Sequence, residues 1–121
     1  MPRDRVIYTY VKETDKKITD IISFYYLPST ILKSKKYKKI HAGYSYYNVC
    51  TTESLHTLMR NALILSKKMD FDVFNALDIL ENEKSFKDLN FHGGSGNLNF
   101  YVYNWNLVEK FKPCDVGIVL L

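Results

Sequence analysis

The runs RVIYTYV (5–11) and KITDIISFYYL (17–27), separated by the polar pentad KETDK (12–16), decide the fold. Both are dense in β-branched and aromatic residues, which suit a pleated, half-buried surface, and the polar spacer suits a reversal, so the two predict an antiparallel pair. Pro28 is expected to end the second strand. Beyond it, STILKSKKYKK (29–39) reads as a short helix or an irregular connection, and HAGYSYYNVC (41–50) returns to strand composition.

The clearest helix follows. Leu55, Leu58, Met59, Ala62 and Leu63 fall on one apolar stripe, with Arg60, Ser66, Lys67 and Lys68 at polar positions. Thr52 is the expected N-cap, and Glu53 near the start and Lys67 and Lys68 near the end suit the helix dipole. Next come a short apolar strand, FDVFNAL (71–77), a helix over 82–89, and a glycine cluster at Gly93, Gly94 and Gly96. Strand composition resumes in NLNFYVYNW (97–105). NLVEKFKPCD (106–115) reads as a loop, and VGIVLL (116–121) as a closing strand. The order β, β, β, α, β, α, β, β makes this an α+β domain whose mixed, α/β-type sheet is flanked by helices.

The chain has 121 residues, 46% hydrophobic and 15% aromatic, with only 5 Gly and 3 Pro. Residues 1–121 therefore read as one compact domain rather than a disordered tail or a tandem array. A chain of this length buries roughly two-thirds of its unfolded surface, which leaves little room for a deep cofactor cleft. The net charge is +4, and five of the lysines lie at 33, 35, 36, 38 and 39. Because the basic excess is confined to that segment, nucleic acid is not an expected partner. Whether the cluster meets a membrane or a ribosome is left open. Cys50 and Cys114 form no CxxC pair, MPRDRVIYTYV lacks the apolar stretch of a signal peptide, and no run has the length to cross a bilayer. The cytoplasm is the default location.

Candidate chemistry is sparse. His41, His56 and His92 lie in different elements without a second ligand at i+3 or i+4, so a metal site is not expected. No nucleophile elbow is present. HGGSGN (92–97) precedes a strand pattern, whereas a P-loop precedes a helix. It is either an ordinary connection or a turn whose backbone approaches a ligand. Tyr44, Ser45, Tyr46, Tyr47 and Asn48 place aromatics on both faces of a strand, consistent with a groove wall or with a half-buried sheet. The closing GIVLL favours burial, which would draw the carboxylate of Leu121 into a partly desolvated place. Such a carboxylate can serve as a general base, its reference pKa of about 3.5 rising with desolvation.

PRDRVIYTYV, ITDIISFYYLPSTIL, AGYSYYNV, ALILSKKMDFDVFNALDILEN, NLNFYVYNW and GIVLL, in this order and spacing, resemble the last quarter to third of glycylpeptide N-myristoyltransferase. The closing VGIVLL is most similar to apicomplexan members. The resemblance implies the C-terminal lobe of a two-lobed enzyme and a partial fold of the GCN5-related acetyltransferase type. It also implies transfer of myristate from myristoyl-CoA, the acyl donor of the full enzyme, to the N-terminal glycine of peptides and proteins. It assigns the base to the carboxylate of Leu121. The peptide groove falls to Ser29 in LPST, Tyr44 in GYSYYN, Asn75 in DVFNALD, Gly96 and Leu98 in GNL, and Leu120 at the end of the chain.

By the same resemblance the acyl-CoA pocket and the oxyanion hole belong to an N-terminal half, the expected partner, so these residues bind no cofactor and the chain alone is expected to be inactive or nearly so. One departure stands out. The family reads K-F-G-x-G-D-G where this chain has NFHGGSG (90–96). Ser95 cannot supply the aspartate's charge, so the resemblance does not extend to a preference for a lysine downstream in the substrate. An alternative to the transferase is a non-catalytic, truncated module that binds peptides or a partner chain.

Overall fold

The computed structural model describes residues 6–32 and 34–120. Four strands form one sheet in the order β1-β2-β3-β4: β1 (Ile7–Thr14), β2 (Lys17–Thr30), β3 (Lys39–Val49) and β4 (Val73–Asn75). β1 and β3 flank β2 antiparallel, and β4 joins β3 parallel. The parallel pairing needs a crossover, supplied by α1 (Leu55–Lys68). The sheet is therefore mixed and the class α+β, as expected. The first reversal is a two-residue turn, Asp15–Lys16, with both residues at positive φ, the geometry that matches strand twist in tight hairpins.

Pro28 does not end β2, which runs on to Thr30. The reason is geometric. The Tyr26 N–H points to the β1 side, donating to the Val6 carbonyl at 2.8 Å. Two residues later the proline nitrogen faces the same side, beyond the end of β1, so its missing N–H removes no bond to β3. The connection after β2 is irregular rather than helical.

The core lies on the helix side of the sheet, where Ile22 and Phe24 meet Leu58, Ala62 and Phe71. Phe24, wholly buried, has Tyr8 stacked at 5.5 Å and meets Phe71 and Phe74 edge-on at 6.0 and 5.7 Å. Gly43 makes this packing feasible: a Cβ there would come within 2.6 Å of the Phe71 ring. The stripe expected on α1 does face the core, with Leu58, Met59 and Ala62 buried.

The start of α1 departs from expectation. Ser54, not Thr52, is the N-cap, its hydroxyl accepting from the Thr57 N–H at 3.1 Å. Thr52 is occupied elsewhere: the buried carboxylate of Asp20 accepts from the Thr51, Thr52 and Glu53 N–H groups at 2.8, 2.9 and 3.0 Å and from the hydroxyls of Thr19 and Thr52. Burial pushes the Asp20 carboxyl up. The Thr52 hydroxyl, the Glu53 and Thr52 N–H groups and the Thr19 hydroxyl outweigh that and hold it well below the usual carboxylate range.

The later elements are shorter than their composition suggests. The strand expected over 71–77 is reduced to β4, and the helix expected over 82–89 to α2 (Glu83–Phe86). Residues 97–105 and 116–120 are irregular, interrupted from the chain's end only by a 3-10 turn at Pro113–Asp115. Both stretches have strand composition, but among the described residues neither finds a ladder partner, and a strand is stable only when its N–H and C=O groups are paired.

Candidate functional site

Alternation along β2 assigns its side chains to two faces. Ile22, Phe24 and Tyr26 enter the core, which leaves Tyr25 on the face away from α1. Tyr25 lies opposite Tyr44 on β3, and Tyr44 opposite Asn75 on β4, so the three form a row across neighbouring strands roughly 4.8 Å apart. The Tyr25 and Tyr44 rings stack at 5.1 Å, 9° from parallel.

A β-bulge extends this aromatic surface. Between Ile22 and Phe24 the register shifts so that Tyr46 and Tyr47 together oppose Ser23. Consecutive residues on a regular strand point to opposite faces, but the bulge lets both tyrosines serve the same one. Tyr46 packs edge-on against Tyr25 at 6.1 Å and against Tyr47 at 4.6 Å. The bulge is pinned by the Ser23 hydroxyl, which donates to the Tyr47 carbonyl at 2.6 Å.

The end of the chain lies across this face. The Val119 N–H donates to the Tyr47 hydroxyl at 3.2 Å, and the Tyr25 hydroxyl donates to the Leu120 carbonyl at 3.2 Å. Val119 is buried, whereas Leu120 remains exposed. Burial, and then the neighbouring Tyr44 and Tyr46, push the Tyr25 hydroxyl up from its ordinary value. It therefore stays protonated and able to donate throughout the neutral range.

Of the residues expected at the site, Tyr44, Asn75 and Leu120 are thus brought to one face by register and by the Tyr25 bond. Ser29 shares that face but stands four residues farther along β2, about 13 Å from Tyr25, exposed and paired with Ile40. Gly96 and Leu98 lie in the irregular segment, both exposed. Gly93, Gly94 and Gly96 have no positive φ, and a Cβ on any of them would meet nothing within 4 Å. Neither backbone conformation nor packing among the described residues calls for glycine there. Leu121 lies outside the described residues.

Tyr25 is the site residue that sequence reasoning missed, and Tyr47, named among the strand aromatics, takes a face that strict alternation does not give it. Strict alternation from a core Phe24 could have found Tyr25; the bulge that brings in Tyr47 leaves no comparable signal. His41 stacks on Tyr26 at 5.8 Å, and its Nδ1 lies 2.6 Å from the Tyr26 hydroxyl, on the helix side and away from this face.

Comparison with known proteins identifies the family. The model of the myristoyl-CoA:protein N-myristoyltransferase C-terminal domain matches residues 1–119. Glycylpeptide N-tetradecanoyltransferase of Plasmodium falciparum is 47% identical over 120 residues, covering 99% of this chain and 29% of the relative. Glycylpeptide N-tetradecanoyltransferase 1 of Arabidopsis thaliana is 48% identical, covering the whole chain and 28% of the relative. The crystal structure of Saccharomyces cerevisiae N-myristoyltransferase with bound myristoyl-CoA superposes with a TM-score of 0.66 at 39% identity, over 76% of this chain and 26% of the yeast protein. The chain thus spans less than a third of the length of these relatives, and it belongs to the N-myristoyltransferase C-terminal domain family.

Proposed function

We infer that this chain is the peptide-binding part of a glycylpeptide N-myristoyltransferase acting in the cytoplasm. The tyrosine face, with Tyr44, Asn75 and Leu120, and Ser29 farther along, holds the N-terminal stretch of a protein substrate. By the resemblance, Gly96 and Leu98 of the irregular segment belong to the same groove. Myristoyl-CoA is held by an N-terminal half that these residues do not supply.

The observation that carries this reading is the pair of tyrosine hydroxyls gripping residues 119 and 120 on the aromatic face. It brings the closing residues of the chain to the surface that the resemblance assigns to the peptide. In the reaction, the carboxylate of Leu121 takes a proton from the substrate's glycine ammonium. The freed amine attacks the thioester carbonyl, the amide C–N bond forms and the C–S bond breaks, and the CoA sulfur leaves as thiolate and takes up the second proton, which the nitrogen sheds as it becomes the amide.

The test is made in the complete enzyme by extending the C-terminus one residue past Leu121, which displaces the carboxylate. Turnover is expected to fall by about 100-fold or more, the scale of a general-base contribution. Near-normal turnover would remove the carboxylate from the mechanism. Titrating this chain alone with a Gly-initiated peptide and then myristoyl-CoA tests the groove itself, and any acylpeptide formed by this chain alone would contradict a non-catalytic module. Peptide binding without acylation is the expected result for a half-site, and the extension experiment then tests the carboxylate.

A further inference from the structure

We propose that the tip of the β2–β3 hairpin is a docking site for a bilayer containing anionic phospholipid. The ladder continues to the Thr30–Lys39 pair, closed by the Ile31 N–H donating to the Lys38 carbonyl at 3.0 Å. Beyond it the chain turns through Ser34, whose hydroxyl accepts from the Lys36 and Tyr37 N–H groups at 3.3 and 3.1 Å. The turn presents four exposed lysines, Lys35, Lys36, Lys38 and Lys39. Among the described residues none of them has a carboxylate partner, and residues 21–52 contain no Asp or Glu at all.

Charge alone suits any polyanion. What selects a bilayer is the apolar content of the same tip. Leu32 is 91% exposed and Tyr37 58% exposed, beside the lysines. A phosphate backbone gains nothing from an aliphatic side chain that can neither stack nor hydrogen-bond. The boundary between headgroups and acyl chains buries a leucine and accommodates a tyrosine with its hydroxyl at headgroup level, while ammonium groups meet the lipid phosphates. Lys36 already lies over the Tyr37 ring, its Nζ 5.1 Å from the centroid, so cation and aromatic are presented together.

The experiment is co-sedimentation of the full chain with phosphatidylcholine vesicles prepared with and without phosphatidylserine, at low and at physiological salt. Binding is expected only with phosphatidylserine, and weaker at the higher salt. Reversing Lys35, Lys36, Lys38 and Lys39 to Glu is expected to lower partitioning by at least about 100-fold. Leu32→Ser is expected to lower it roughly three- to tenfold with no change in charge. The same reversal at Lys67, Lys68, Lys84 and Lys87 is the control for net charge and is expected to leave most of the binding. The proposal is overturned by absence of binding to phosphatidylserine vesicles, by a control variant that loses as much, or by binding indifferent to Leu32→Ser and displaced by single-stranded homopolymer RNA, which would reassign the tip to nucleic acid. All the substituted side chains are exposed, and circular dichroism of each variant confirms that the fold is retained.

Discussion

Residues 17–27 and 97–105 are written in much the same alphabet of tyrosine, phenylalanine, leucine and β-branched side chains, yet they meet different fates. The first lies in β2, between β1 and β3, with α1 over its inner face. The second is irregular, its Tyr103 98% and Trp105 72% exposed. The second is poorer in β-branched residues and carries Asn97, Asn99 and Asn104, but the larger difference lies in what surrounds the two stretches. Strand composition expresses a preference that is realised only where a neighbouring backbone supplies the ladder and a packed layer covers one face.

The largest effect expected from pressing on this contrast comes from Phe24→Ala. It should cost about 3–5 kcal/mol, because Phe24 is wholly buried among four aromatic rings, whereas Trp105→Ala should stay within about 0.5 kcal/mol. Thermal melts of both variants check this, and comparable losses would erase the distinction. Asp20→Asn should lower Tm by roughly 5 °C or more at neutral pH. The native Asp20 carboxyl is depressed, so its contribution is fully present above the unfolded value of about 3.9 and is lost as pH falls below that toward the lower native value. Melts taken from pH 7 down to pH 2 should therefore slope less in the Asn variant, which has no proton to bind at this position.

Smaller effects sharpen the same contrast. Gly43→Ala should cost about 1–3 kcal/mol, because the new methyl strikes the Phe71 ring, while Gly96→Ala should leave stability unchanged. Paired melts distinguish the glycine needed for packing from the one that is not. Tyr47→Phe removes the acceptor for the Val119 N–H and should cost about 0.5–1.5 kcal/mol locally. Amide exchange at Val119 should then speed up several-fold, with β2 amides unmoved; unchanged exchange at Val119 would mean the bond holds nothing in place.

How much of this could be read from the residues follows from the same physics. The β1–β2 pair, β3 and the α1 stripe were legible because period-2 and period-3.6 patterns report which side is buried, and burial is what fixes those elements. The N-cap was misplaced by two residues. Thr52 and Ser54 are both capping types, Ser the better of the two, and the long-range carboxylate of Asp20 further decides between them by engaging Thr52. Among the described residues the strands expected at 97–105 and over 116–120 are not realised, because composition does not say whether a partner is present. At the site, Tyr44, Asn75 and Leu120 were named from resemblance and converge through register and one tyrosine bond. The bulge that brings Tyr46 and Tyr47 to one face depends on cross-strand pairing, which no local window contains.

The length of β2 has a mechanical consequence. Its 14 residues span about 46 Å, whereas the 14 residues of α1 span about 21 Å, so the helix layer covers less than half of the strand it packs against. The buried positions of β2 are confined to residues 20–24. Ser29 and Thr30 and their partners Ile40 and Lys39 therefore project past β4 as a two-stranded cantilever, anchored at its root by the sheet and the aromatic core. A ribbon of this kind twists and bends more readily than a packed sheet. Whatever meets its tip meets a compliant arm, and only the root of that arm shares the rigidity of the core.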